Sequence, residues 1–156
     1  MPTLLLPGGG IKLSGARLAS MPDESTQVVR AAFEAYFRGD QSTMMALVDP
    51  EIVVTQFPEQ VDTRPYHGHE GVREVMADWV GTWDDWSIEL LDLREVGESV
   101  VSAVHQRGRG SGSGAAMEAD TWFVWRVRAG RIVRWQMFSS EREALDAATD
   151  PLAEAP

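Results

Sequence analysis

Several groups of side chains have types and spacings that could do chemistry. His67 and His69 flank Gly68 and precede Glu70, so in an extended loop two imidazoles could share one side as metal ligands. No third ligand lies nearby, and short histidine patterns of this kind often arise by chance, so no metal is assigned. Gly108 to Gly114 is rich in glycine, but it falls between two strand-like runs. That makes it a hairpin tip and not a phosphate cradle, which needs a strand followed by a helix. No serine sits in a nucleophile-elbow context. There are no cysteines, which excludes disulfides, thiolate nucleophiles and cysteine metal sites. Nothing calls for a cofactor.

The composition narrows the partners. The 156 residues suit one domain with one core. Acidic residues number 24 against 14 basic ones, for a formal net charge of −10. Such a field repels phosphate backbones and anionic bilayers, which argues against nucleic-acid and membrane partners. Leu4-Leu5-Leu6 is short and lacks a basic start, so it does not read as a signal peptide, and a cytoplasmic location is expected. Six tryptophans, at 79, 83, 86, 122, 125 and 135, could fill a core, face a second subunit or line a ligand pocket.

The elements that must position these groups follow from periodicity. Residues 1–20 carry Pro7-Gly8-Gly9-Gly10 and few charges, and read as an N-terminal extension. The domain is placed at 21–148, with a tail at 149–156. A helix is expected over about 22–38, with Val29, Ala32, Phe33 and Tyr36 on one face and Gly39 as its left-handed cap. A short helix runs on to Leu47. Ile52, Val53, Val54 and Thr55 mark a strand over 51–57. A third helix covers 68–83, strands cover 87–96, 99–109, 115–128 and 131–139, and a closing helix covers 141–148.

Turn chemistry sets the hairpin registers. A two-residue turn at Gly112-Ser113 places His105 opposite Asp120 and Arg107 opposite Glu118. A three-residue loop at Arg128-Ala129-Gly130 puts Phe123 and Trp125 on the face that carries Val133, Trp135 and Met137. Val100, Ser102 and Val104 share that face, which should pack on the helices. The opposite face carries His105, Arg107, Glu118, Asp120, Trp122, Val124, Arg134 and Gln136. A tryptophan amid charges there points to a subunit contact.

Three local patterns sharpen the order of elements. These are Val28 to Tyr36 leading into Arg38-Gly39-Asp40, then Tyr66-His67-Gly68-His69-Glu70-Gly71-Val72-Arg73, then Arg128 to Arg134. Together they resemble the polyketide-cyclase-like (SnoaL-like) and ketosteroid-isomerase-like branch of the nuclear transport factor 2-like superfamily, over about residues 21–148. The resemblance implies an α+β fold: a cone-shaped α+β barrel, with a bent antiparallel sheet wrapped around N-terminal helices and an internal pocket. It also implies homodimers paired through the sheet, here through the face bearing Trp122. Its activities range from isomerases, cyclases and hydrolases to non-catalytic binding or assembly modules.

The isomerase's catalytic groups, a tyrosine and two acids, map by that resemblance to Ala32, Gln56 and Phe123. None can do the isomerase's work. The cyclases' acid would be Asp120, which the register turns outward. Epoxide hydrolysis in this fold needs an arginine between two acids, and Arg107 and Arg109 again face out. Tyr36 lies one turn beyond Ala32 and should enter the same pocket, where its hydroxyl and the Gln56 amide could orient a ligand oxygen. The expected lining is Phe33, Tyr36, Val54, Gln56, Met76, Trp79, Phe123, Trp125, Trp135 and Met137. A small apolar, ring-containing ligand is the expected partner, with a non-catalytic homodimeric module as the alternative.

Overall fold

The computed structural model describes residues 23–58 and 64–150. Helix α1 spans Glu24–Phe37, and the Asp23 carboxylate caps it by accepting from the Thr26 amide at 3.0 Å. Its end is a Schellman motif: Gly39, at φ +76°, donates to the Tyr36 carbonyl at 3.0 Å and Asp40 donates to the Ala35 carbonyl at 2.8 Å. Asp40 at once caps α2 (Gln41–Ala46) through the Thr43 amide at 3.1 Å. The two helices are therefore joined with no free linker.

Strand β1 (Val48–Thr55) starts earlier than its β-branched run suggests. Val48 pairs with Ile132 but Val53 pairs with Arg134, so five residues of β1 pass two of its partner. Pro50 lies inside this irregular stretch, where its missing N–H breaks no ladder bond. A two-residue β2 (Tyr66–His67), which periodicity cannot reveal, precedes α3 (Gly68–Thr82). Four strands follow: β3 (Trp83–Val96), β4 (Ser99–Gly110), β5 (Ala116–Arg128) and β6 (Arg131–Phe138); α4 (Glu141–Thr149) is the last described element.

Among the described residues the sheet has six strands, in the order β2-β1-β6-β5-β4-β3. It is strongly bent but not closed into a barrel, because β2 and β3 remain its edges. It is also not wholly antiparallel, since β1 runs parallel to β6. The β4–β5 register is the one the sequence predicts, with His105 opposite Asp120 and Arg107 opposite Glu118. The connection, however, is a four-residue loop at 111–114, closed by Gly110 donating to Ala115 at 2.8 Å and Gly114 donating to Gly110 at 2.9 Å. The β5–β6 turn is shorter than expected. Arg128 pairs with Arg131 across Ala129 (φ +53°) and Gly130 (φ +78°), the positive pair of a two-residue hairpin. A bulge follows at once, because Arg126 meets Arg134 while Val127 meets Ile132. Val133 is the extra residue, so Ile132, 1% exposed, takes the inward place assigned to it.

The inner face packs against α1, α2 and α3 in the main core, with Val100, Val104, Phe123 and Trp125 buried there. The outer face holds a second, smaller core. Val101, Val124 and Phe138 pack with Ala144 and Ala148 of α4, and Trp122 lies against them. The presence of Trp122 on that face is thus accounted for within the chain.

Candidate functional site

A cavity of about 120 Å³ lies between the inner sheet face and helices α1, α2 and α3. An engineered apolar cavity of about 150 Å³ holds benzene, so the cavity here is of single-ring size at most. Its deep wall is buried, with Phe33, Met44, Ile52, Val75 and Ile88 among its members. Gln56, Phe57, Met76, Trp79, Val80 and Trp86 are half-buried and mark the mouth.

Of the lining expected from sequence, the structure brings together Phe33, Tyr36, Gln56, Met76, Trp79, Phe123, Trp125, Trp135 and Met137. Val54 is not in the wall. Its short side chain is fully covered in the surrounding core (0% exposed), and Ile52, two residues earlier on the same side of β1, stands at the cavity instead.

The back wall is aromatic. Trp125 and Trp135, paired across β5 and β6, stack with centroids 5.1 Å apart and planes 11° apart. Phe123 meets both edge-on, at 5.8 and 5.4 Å, and Phe33 of α1 meets Trp125 edge-on at 5.6 Å. These are the preferred geometries of aromatic pairs.

Gln106 is the polar residue that the sequence reading missed. It is 3% exposed, and its Oε1 accepts from Trp79 Nε1 at 2.7 Å and from Trp86 Nε1 at 2.9 Å. Its Nε2 donates to Thr121 Oγ1 at 3.0 Å. One amide thereby ties α3, β3, β4 and β5 together at the mouth. Its position was legible, because Gln106 continues the alternation of Val100, Ser102 and Val104 along the inner face. Trp86 was not legible. Asp84 pairs with Arg109 and Ser87 with Arg107, so Asp85 and Trp86 together oppose Gly108. This bulge, with Asp85 at φ +52°, turns Trp86 onto Gln106.

Among the described residues, the lining contains no Asp, Glu, Lys, Arg or His. Ala32, Gln56 and Phe123, the positions matched to the isomerase's catalytic groups, all stand in the wall and bring no acid or phenol. Tyr36 is the one titratable group there. Burial pushes its phenol well above the usual range, with no hydrogen bond contributing, so at neutral pH it is a protonated hydroxyl. Trp135 Nε1 is buried and has no acceptor among the described residues, whereas Trp125 Nε1 donates to Ser102 Oγ at 2.9 Å.

The other chemical candidates lie elsewhere. His69 Nε2 donates to the Val48 carbonyl at 2.7 Å, and His67 occupies the N-cap of α3. Among the described residues, no group of three His, Cys, Asp or Glu side chains is arranged so that it could hold a metal ion. His105 bridges Asp120 (2.6 Å) and Glu118 (2.8 Å), and Arg107 also reaches Glu118 at 2.9 Å. This network lies outside the cavity wall, as does Arg109. The Asp120 hydrogen bond first, then that to Glu118, raises the His105 imidazole above its ordinary value.

Solved structures share this architecture. A nuclear transport factor 2-like protein from Burkholderia thailandensis is 28% identical, with 84% of this chain and 100% of that chain covered at a TM-score of 0.67. A nuclear transport factor 2-like protein of unknown function from Burkholderia pseudomallei is 22% identical over 82% of this chain and 99% of that chain, at a TM-score of 0.64. TerC, co-crystallized with polyporic acid, is 17% identical over 80% of this chain and 99% of that chain, at a TM-score of 0.63. No curated protein matches the chain in sequence. The SnoaL-like domain family matches residues 29–135, most of the described chain and all of the strands that build the cavity's back wall up to Trp135. The chain belongs to the SnoaL-like domain family.

Proposed function

We propose that the domain binds a small apolar, ring-containing molecule in this cavity, and that it does so without acid–base catalysis from the wall. The observation that carries the reading is an aromatic enclosure whose described lining residues hold no charged group. General acid–base chemistry near neutral pH needs a group that titrates there, and the Tyr36 phenol is pushed away from that range. Apolar enclosure with a few placed polar groups is the usual form of a small-molecule site. The co-crystallization of TerC with polyporic acid supports the same use of the fold.

Ala32→Leu tests the reading, because Ala32 faces the cavity from α1 and the larger side chain would occupy it. Single-ring arenes should quench or shift the fluorescence of the wild-type tryptophans in a saturable way. The variant should lose that response while keeping its far-UV circular dichroism. Equal binding by both proteins would place the ligand elsewhere, and turnover of any substrate that Tyr36→Phe abolishes would overturn the non-catalytic part. The second partner we propose is another copy of the chain across the outer sheet face. With Trp122 lying against the α4 core, its surface would centre on His105, Arg107, Glu118 and Asp120, and sedimentation velocity reads it directly.

A further inference from the structure

The mouth of the cavity is lined by side chains, and one of them is held differently from its neighbours. Phe57, Met76 and Trp86 pack against the main core. Trp79 reaches its place from α3 by donating from Nε1 to Gln106 Oε1 at 2.7 Å, with its ring centroid 6.2 Å from Phe57 and 5.6 Å from Trp83. The backbone beneath it is pinned on both sides. Val72 and Val75 are buried in the core two turns and one turn earlier. Just beyond, Ser111 of the β4–β5 loop donates from its amide to the Thr82 carbonyl at 3.0 Å and from its hydroxyl to Asp84 Oδ1 at 3.1 Å. What this leaves to move is the side chain, which in a helix has two staggered χ1 wells. Ala77, Asp78, Gly81 and Thr82 around it are exposed, so the second well leads toward water.

Gln106 lowers the cost of such a movement. Its oxygen accepts from Trp79 and, at 2.9 Å, from Trp86, and the residue is 3% exposed. With a single donor, withdrawal of that donor would leave a buried carbonyl unpaired, which costs more than exchanging one hydrogen bond for another. With Trp86 in place the oxygen stays satisfied, and the Trp79 N–H, half-buried at the mouth, passes to water. Resting on the proposed pocket, we infer that Trp79 is a swinging gate over the cavity: Gln106 latches it, Trp86 holds the acceptor while it is open, and ligand passes when the indole turns out.

The test pairs two conservative variants, each removing one indole N–H from the same acceptor. In ligand-free, nitrogen-15-labelled protein, the two indole resonances are assigned by their absence from Trp79→Phe and Trp86→Phe, and their exchange with water is measured. The Trp79 N–H should exchange faster than that of Trp86. Trp86→Phe should slow the Trp79 exchange about tenfold, the effect of leaving a buried oxygen unpaired whenever the gate opens. Fluorobenzene then probes passage, with fluorine-19 exchange spectroscopy reading its association and dissociation rates. Trp79→Phe, which keeps a ring without the latch, should raise both about fivefold at nearly constant Kd, whereas Trp86→Phe should lower both. A merely structural role would shift the two variants in the same direction, and that result would overturn the gate while leaving the pocket reading standing. Indole exchange as expected with no fluorobenzene bound would overturn the pocket reading alone. Should Trp86→Phe fail to fold, equal rates in Trp79→Phe and wild type overturn the gate by themselves.

Discussion

Replacing Gln106 by Leu removes one oxygen that accepts from two indoles and one N–H group that donates to Thr121. Leucine has nearly the same volume, so packing is little changed and the loss is polar. Thr121 is 4% exposed, and its orphaned hydroxyl should cost about 1–2 kcal/mol. Trp79 and Trp86 stand half-buried at the mouth, where water can reach part of each ring, so each N–H should cost the lower figure of about 0.5–1 kcal/mol. The added apolar burial offsets about 0.5–1 kcal/mol, leaving a net loss of about 2 kcal/mol. For a domain of this length that lowers the melting temperature by about 4–8 °C, read by far-UV circular dichroism at pH 7. Near-UV ellipticity should fall as well, because two indoles lose their fixed orientation. Thr121→Val in the same background should cost less than it does alone, since deleting both partners leaves fewer orphaned groups. A melting temperature within about 2 °C of wild type, or strictly additive double-variant losses, would refute Gln106 as the tie.

The strained bulge and the outer network make further predictions. Asp85 sits at φ +52°, a conformation that costs side chains about 1–2 kcal/mol; Asp85→Gly should raise the urea midpoint and Asp85→Val should lower it, provided the bulge persists. The raised His105 value means that the folded state binds its proton more tightly than the unfolded chain does. The resulting stabilisation is fully present below the ordinary histidine value of 6.5 and is lost as pH rises through the folded value. His105→Gln should therefore narrow its stability gap to wild type as urea melts move from pH 6 to pH 9; a gap that widens would contradict the sign. Glu118, lowered mainly by its His105 hydrogen bond, loses its contribution as pH falls through its folded value, so Glu118→Gln should matter least in acid.

Much of the frame was legible because its signals are local. The Gly39 cap, the α1 stripe and the β4–β5 register each depend on residues a few positions apart, and each stands as read. The bulges were not legible. Nothing in Trp83-Asp84-Asp85-Trp86 announces that two residues will oppose Gly108, nor that Val133 will be skipped so that Ile132 faces inward. A one-residue irregularity reverses the faces beyond it, so β3, with two register shifts, was the strand least open to period-two reasoning. The β1–β6 pairing is a contact between strands far apart in sequence, and turn chemistry does not reach it.

The two glutamines at the mouth show why polar roles in a cavity are harder to read than apolar ones. Gln56 was singled out because a resemblance placed it where another protein keeps a base, and it does stand in the wall. Gln106 has no such pointer in the sequence, yet it holds three hydrogen bonds and is almost fully buried. An apolar side chain contributes wherever it is covered, so alternation along a strand suffices to assign it. A polar side chain is defined by its partners, and the partners of Gln106 come from α3, β3 and β5, at sequence separations of 27, 20 and 15. Trp135 is the converse case: its ring stands in the wall, but that its N–H has no acceptor among the described residues is visible only when the surrounding elements are in place. Which polar groups of this wall the fold has already satisfied is therefore settled by the assembled sheet and not by any one strand.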